Sequence, residues 1–390
     1  MPGEWKEVVL GDLLAESTET HVTEPSDYPL LTVRLNGAGV EPAGKHPNKT
    51  LGGRPHYVRH PGQVLIGRQN FHRGSAGVVP ALDAEHVTSN AISAFDTRPG
   101  HDARFVLHLL QWPETGRQAA SRAVGTGQQE ISQSALVALP LRIPDLPEQR
   151  RIADLLAAAD DALAAQAALV EARRTAREAL LSSLLGAQNG NDTTLGSVLT
   201  RHVDKAPVAG DSIYKQVTLG VRGAGARLRC ETRGALLGSA VFRVRAGDLI
   251  YSKIDARHGA FAVLPSHLDG AYVTGDFPSF SIKSEIALPE YLSLITSSPN
   301  FWKRAADQAV GTTNRVRLNP DRLLAMSVRL PGLPEQRRIV DLLASSDTAL
   351  RTDEAALAVM RSAREQLLHD LLSGTHRIPD SYDELLGQAP

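Results

Sequence analysis

Leu146-Pro147-Glu148-Gln149-Arg150-Arg151-Ile152 occurs again, unchanged, as Leu333-Pro334-Glu335-Gln336-Arg337-Arg338-Ile339, displaced by 187 residues in a chain of 390. Pro147–Leu163 and Pro334–Leu350 share 13 identities, the differences falling at Ala153, Ala158, Ala159 and Asp161. The match runs on through Ala176-Arg177-Glu178 against Ala363-Arg364-Glu365. Repetition of this kind fixes the architecture before any local reading, because each copy is one structural unit. The preceding segments correspond more weakly. Leu10-Gly11 pairs with Leu195-Gly196, Gly37-Ala38-Gly39 with Gly223-Ala224-Gly225, Pro61–Arg68 with Ala246–Lys253, and Ala123–Thr126 with Ala309–Thr312. The order is globular unit, helix, globular unit, helix. The helices stayed alike while the globular units diverged, as suits a reader that varies its surface better than an enzyme that must keep its site.

Each repeated motif opens a long helix. Pro147 and Pro334 suit the first helical position, where a missing N–H costs nothing, and Glu148 and Glu335 place a carboxylate near the helix's positive end. Leu156, Leu163, Val170, Arg177 and Leu184 recur every seven residues, as do Leu343, Leu350, Leu357, Arg364 and Leu371. A sustained heptad argues a coiled-coil seam, so these leucines and Val170 are the expected helix interface. The two arginines read as rim or register residues. Each helix is expected to run about 39 residues, roughly 58 Å, and antiparallel pairing of the two copies would cover both seams.

The fold class expected is α+β: two mixed, strand-rich domains separated by two long antiparallel coiled-coil helices, with an internal pseudo-twofold repeat. The boundaries are 1–145 and 190–332 for the globular domains, 146–189 and 333–374 for the helices, and 375–390 for a flexible tail. Short β-prone runs at Val64–Ile66, Ala76–Val79, Val241–Val244 and Phe261–Leu264 are separated by Gly and Pro. Helices are expected at Ala103–Gln111 and Pro289–Thr296.

Composition excludes several classes. No apolar run approaches the roughly 20 residues that span a bilayer, and Met1–Leu14 lacks the profile of a secretory signal. The single cysteine, Cys230, can form neither an internal disulfide nor a thiolate zinc site, which points to a reducing cytoplasm. Net charge is −1, yet Lys205–Arg257 holds ten basic residues against four acidic ones, a local excess that fits nucleic acid or a solvated sheet face.

Two pairs of loops carry the candidate DNA contacts. Arg68, Asn70, His72 and Arg73 follow one strand, and Lys253, Arg257 and His258 follow its counterpart. These side chains can pair with guanine or adenine edges or hold phosphates. Thr126 and Gln128, with Thr312, Asn314 and Arg315, occupy a second matched pair of polar loops. Ordinary turn chemistry competes for each of them. The Gly-Ala-Gly turns lack the third glycine of a dinucleotide loop, and Gly44-Lys45-His46 is not a phosphate loop. No amino-methyltransferase tetrapeptide, no His-Glu-x-x-His and no Asp…Glu-x-Lys pattern is present, so no catalytic and no metal residue is assigned. Any chemistry is left to partners.

The doubled Leu-Pro-Glu-Gln-Arg-Arg-Ile-(Ala/Val)-Asp-Leu-Leu, closing a variable domain and opening a long helix, resembles the specificity subunits of type I restriction–modification systems. The resemblance runs from Trp5 to about Ser373. It implies two target recognition domains that each read one half of a split, asymmetric double-stranded DNA site. It also implies a scaffold for two modification subunits that carry S-adenosylmethionine, joined by restriction subunits using ATP and Mg²⁺. Adenine methylation and cleavage would then belong to the complex. Two other readings stay open: the same module in another phage-defence methyltransferase assembly, or a coiled-coil scaffold that binds only protein.

Overall fold

The computed structural model describes residues 5–47, 54–123, 129–186, 190–311, 316–379 and 381–382. The chain divides into two compact units. One comprises Met1–Ala167 with Ala356–Pro390, the other Ala168–Ala355.

The first unit is built on a four-stranded antiparallel sheet in the order Leu14–Glu16, Ile92–Thr97, Val64–Gly67, Ala76–Val78. The second repeats that order with Leu199–His202, Ser279–Ile282, Leu249–Tyr251 and Phe261–Val263. Central strands covered on both faces read as unbroken apolar runs. Val64 and Ile66 point into the main core and Leu65 into a second, smaller cluster on the other face. Leu249 and Tyr251 divide from Ile250 in the same way, as the two-residue strand period requires. Lys6–Val9 pairs with Pro140–Ile143, and Asn191–Thr194 with Ser327–Leu330, so each unit brings its own start and end together.

Helices Ala103–Gln111 and Pro289–Thr296 lie where they are expected. Each is followed by a short helix that the sequence pattern did not reveal, Pro113–Ala120 and Pro299–Gln308. Both begin at a proline that reads locally as a break but stands at the first helical position.

The long helices span Leu146–Gly186 and Leu333–Leu372, 41 and 40 residues, or about 60 Å each. In the first unit Arg364, late in the second helix, grips Asp160, early in the first, through Nε and Nη2 at 2.8 and 2.9 Å. In the second unit Arg177, late in the first helix, grips Asp347, early in the second. Early residues of one helix meet late residues of the other in both units, so the helices run antiparallel. Asp160 and Asp347 are repeat equivalents, as are Arg177 and Arg364: one clasp is made twice. The second unit adds Arg173–Asp353 and Arg174–Glu354. Leu156 and Leu371 lie in the first unit's core and Leu343 in the second's, with Leu184 packed against it. Val170 and Leu357 are buried, whereas Leu163 and Leu350 are half-buried.

The motif that repeats unchanged has a structural role. Gln149 is 1% exposed and Gln336 0%. Gln149 Nε2 donates to the Pro144 carbonyl and its Oε1 accepts from the Asp102 N–H. Gln336 donates to Pro331 and Ile286 and accepts from Leu288 N–H. Each glutamine therefore stitches the start of a long helix to the residue that caps helix Ala103–Gln111 in one unit and Pro289–Thr296 in the other. A buried amide is tolerated only when satisfied in this way. Glu148 and Glu335 differ. Glu335 is engaged by Arg338 at the surface, whereas Glu148 Oε1 accepts the N–H of Ile378. Ile378, in the segment expected to be a loose tail, is 3% exposed and belongs to the first unit's core.

Candidate nucleic-acid interface

The two loops singled out by sequence and the two Gly-Ala-Gly turns come together, once in each unit. In the first unit Asn36 N–H donates to Arg73 O and Gly37 N–H to Gly74 O. In the second, Arg222 N–H donates to His258 O and Gly223 N–H to Gly259 O. The turns share one conformation: φ is 59° at Asn36 and 55° at Arg222, and 72° at both Gly37 and Gly223. The glycines brace a loop. At Gly259 (φ 80°) an added Cβ would run into the Trp302 indole, and at Gly74 (φ 69°) it would come 3.2 Å from the Gly37 nitrogen.

That frame sorts the candidate residues. Arg68 and Lys253 hold the same repeat position, and both are used internally. Arg68 Nη2 lies 3.3 Å from Glu130 Oε1 and donates to Asn90 O, and Lys253 Nζ donates to Gly275 O at 2.6 Å. Asn70 is half-buried with φ 64°, holding the left-handed bend that starts the loop, and His72 is half-buried beside it. Arg73, Arg257 and His258 are exposed. Arg257 Nε donates to His258 Nε2, so these two present their edges as a unit. Thr126, Gln128, Thr312, Asn314 and Arg315 lie outside the described residues.

The basic excess read from Lys205 to Arg257 has a location. Ile213–Leu219 and Ala226–Arg233 form an antiparallel hairpin at the edge of a separate sheet in the second unit. Lys215, Arg222, Arg227, Arg229 and Arg233 are exposed on it. The equivalent hairpin of the first unit, Leu31–Val33 with Val40–Pro42, is three residues per strand. Its arginine, Arg34, is neutralised by Glu41. Residues 1–145 carry 13 Lys and Arg against 15 Asp and Glu, net −2, whereas residues 190–332 carry 18 against 12, net +6. The whole-chain value of −1 hides this difference.

One buried cation escaped sequence reading. Arg59, 1% exposed, donates to Thr88 Oγ1 and Ile92 O and pairs with Glu19. Burial lowers its pKa, and Glu19 opposes that shift. Its role is internal to the first unit. Among the described residues no group of His, Cys, Asp and Glu could hold a metal ion, and no helix is long and apolar enough to cross a membrane.

Comparison with known proteins agrees with this geometry. Residues 2–170 match the family described as type I restriction modification DNA specificity domain. The specificity subunit of the type I restriction enzyme HindI from Haemophilus influenzae is 27% identical over 125 residues, covering 31% of this chain and 27% of that protein. The chain thus matches about a quarter of that relative's length. The crystal structure of an HsdS subunit from Thermoanaerobacter tengcongensis superposes with a TM-score of 0.56 at 16% identity, covering 95% of this chain and 97% of the other. A chain from a structure of a type I restriction–modification system described for its assembly and conformational transition gives 0.61, also at 16% identity, covering 95% and 98%. The specificity subunit from M. genitalium gives 0.52 at 14% identity, covering 95% and 96%. The family model covers less than half of this chain, and the solved structures, all at 16% identity or less, share its fold over 95% of its length.

Proposed function

We propose that the chain reads a bipartite, asymmetric double-stranded DNA site, one half with each unit, and performs no chemistry itself. The observation that carries this reading is the conserved frame with a changed surface. The same turn-to-loop hydrogen bonds hold Arg73 in one unit and His258, next to Arg257, in the other. Identical scaffolds presenting different polar side chains suit the recognition of two different short sequences.

The paired helices fix the gap between the half-sites and form the scaffold for two modification subunits, with restriction subunits joining that core. S-adenosylmethionine, ATP and Mg²⁺ are bound by those partners, in the cytoplasm. The test is binding by the chain assembled with its modification subunits to duplex DNA across a range of salt. Neutralising several phosphates makes affinity fall steeply as salt rises. A flat profile, or no binding, would leave a protein-only scaffold as the better description.

A further inference from the structure

We infer that the second unit carries a phosphate-gripping ridge, formed by Arg222, Arg227, Arg229 and Arg233, which has no counterpart among the described residues of the first. This rests on the DNA-reading function proposed above and adds a division of labour to it: one unit supplies most of the sequence-independent grip. Four observations support it.

The first is position. Arg227, Arg229 and Arg233 line an edge strand, and at ~3.3 Å per residue they span roughly 20 Å. That length lies alongside about six base pairs at ~3.4 Å each. The second is the bulge. The register passes from Gln216 opposite Cys230 to Val217 opposite Leu228, which leaves Arg229 without a cross-strand partner. A bulge re-aims the side chain it carries and twists the edge. The third is freedom from carboxylates. Among the described residues none of these four arginines is in an ion pair, although Glu231 lies on the same strand, opposite Lys215.

The fourth observation is strain. Arg222 holds φ 55°, where the first unit places Asn36 at φ 59°. Asparagine tolerates this left-handed conformation far better than a long side chain does. Keeping an arginine there costs stability without serving the turn, which marks the side chain as functional. The loop it braces holds Arg257 and His258, so ridge and reading loop are joined through the Arg222 and Gly223 hydrogen bonds. Arginines spaced along a strand, with few amide side chains beside them, suit phosphates better than base edges.

The alternative explanation is that these charges only keep an open sheet edge from pairing with another molecule. Two variants separate the readings: Arg222→Asn, which installs the first unit's own residue, and the triple substitution R227Q/R229Q/R233Q. The full chain assembled with its modification subunits is titrated with a labelled random-sequence 40-base-pair duplex, and with one carrying the site methylated in the host. Each titration runs from 50 to 200 mM KCl. Every phosphate that loses its arginine should flatten the log–log salt slope by about 0.9. Arg222→Asn is expected to flatten it by about one phosphate's worth while melting no earlier than wild type, and the triple variant by two to three phosphates' worth, equally on both duplexes. Wild-type slopes in both variants, a weakening confined to the specific duplex, or self-association of the triple variant with undiminished DNA affinity would each overturn the ridge. A wild-type assembly that binds neither duplex would instead overturn the DNA-reading function on which the ridge rests.

Discussion

The hairpins of the two units turn through the same backbone conformation and share nothing else. In the first unit the strands are three residues long and the arginine at the turn is tied to Glu41. In the second they run seven and eight residues and carry a row of exposed arginines along an open edge. Beneath them the sheet order, the turn-to-loop hydrogen bonds and the glutamine stitch at the helix start are held in common. What two copies keep is what the frame needs. What they vary is what faces outward. The difference also shows why whole-chain charge misleads for a duplicated chain, since one copy can carry the positive excess while the other stays near neutral.

Substitutions in the shared frame should hurt both units, in proportion to what each copy has packed around it. Gln336→Leu strands one N–H and two carbonyls, so it is expected to destabilise the second unit by about 3–4 kcal/mol. Gln149→Leu strands two groups and should cost the first unit about 2–3 kcal/mol. Hydrogen exchange resolved by segment would check the order, and equal losses would break the comparison.

Acid should separate the units next. Burial, and then the Arg364 charge, push the His108 pKa down from 6.5 to about 4. A base whose folded pKa is depressed holds its stability above the unfolded value. The unfolded chain takes up a proton between pH 6.5 and about 4 that the folded chain refuses, so stability falls across that window, by up to about 3 kcal/mol. The helices at Pro289–Thr296 and Pro299–Gln308 contain no histidine. Melting curves at pH 7 and pH 4.5 should show a drop in the first unit that His108→Gln removes.

The glycine braces come third. Gly259→Ala, blocked by Trp302 as well as by its φ, should cost about 2–3 kcal/mol, and Gly74→Ala about 1–2 kcal/mol. The helix clasps are smallest. Arg364→Ala is expected to cost about 1–2 kcal/mol and Arg177→Ala under about 1 kcal/mol, because Arg173 and Arg174 still hold the second unit's helices together. Double-mutant cycles with Asp160 and Asp347 would measure each clasp.

Most of the architecture was legible because the repeated motif is frame rather than surface. Gln149 and Gln336 are unchanged since each is buried and hydrogen-bonded through both the nitrogen and the oxygen of its amide, and heptad spacing shows in sequence because it is periodic. Helices Pro113–Ala120 and Pro299–Gln308 stayed hidden because each follows directly on another helix, so its proline reads as the end of that helix and not as a new start. The partner of Arg68 could not be read, since Glu130 lies 62 residues away and only the fold brings them together. The left-handed turn at Arg222 has no sequence signature, because asparagine or glycine would be expected there. The basic run was visible as composition, but its concentration on one edge strand was not.

Division of a DNA site between the two units is tested most directly by the methylation pattern of a host genome, with the wild-type gene, without it, and with Arg73→Ala or Arg257→Ala. A two-part asymmetric motif with a fixed gap is expected, and it should vanish without the gene. Arg73→Ala should relax one part only, and Arg257→Ala the other. A single uninterrupted or palindromic motif, or both variants relaxing the same part, would contradict that division.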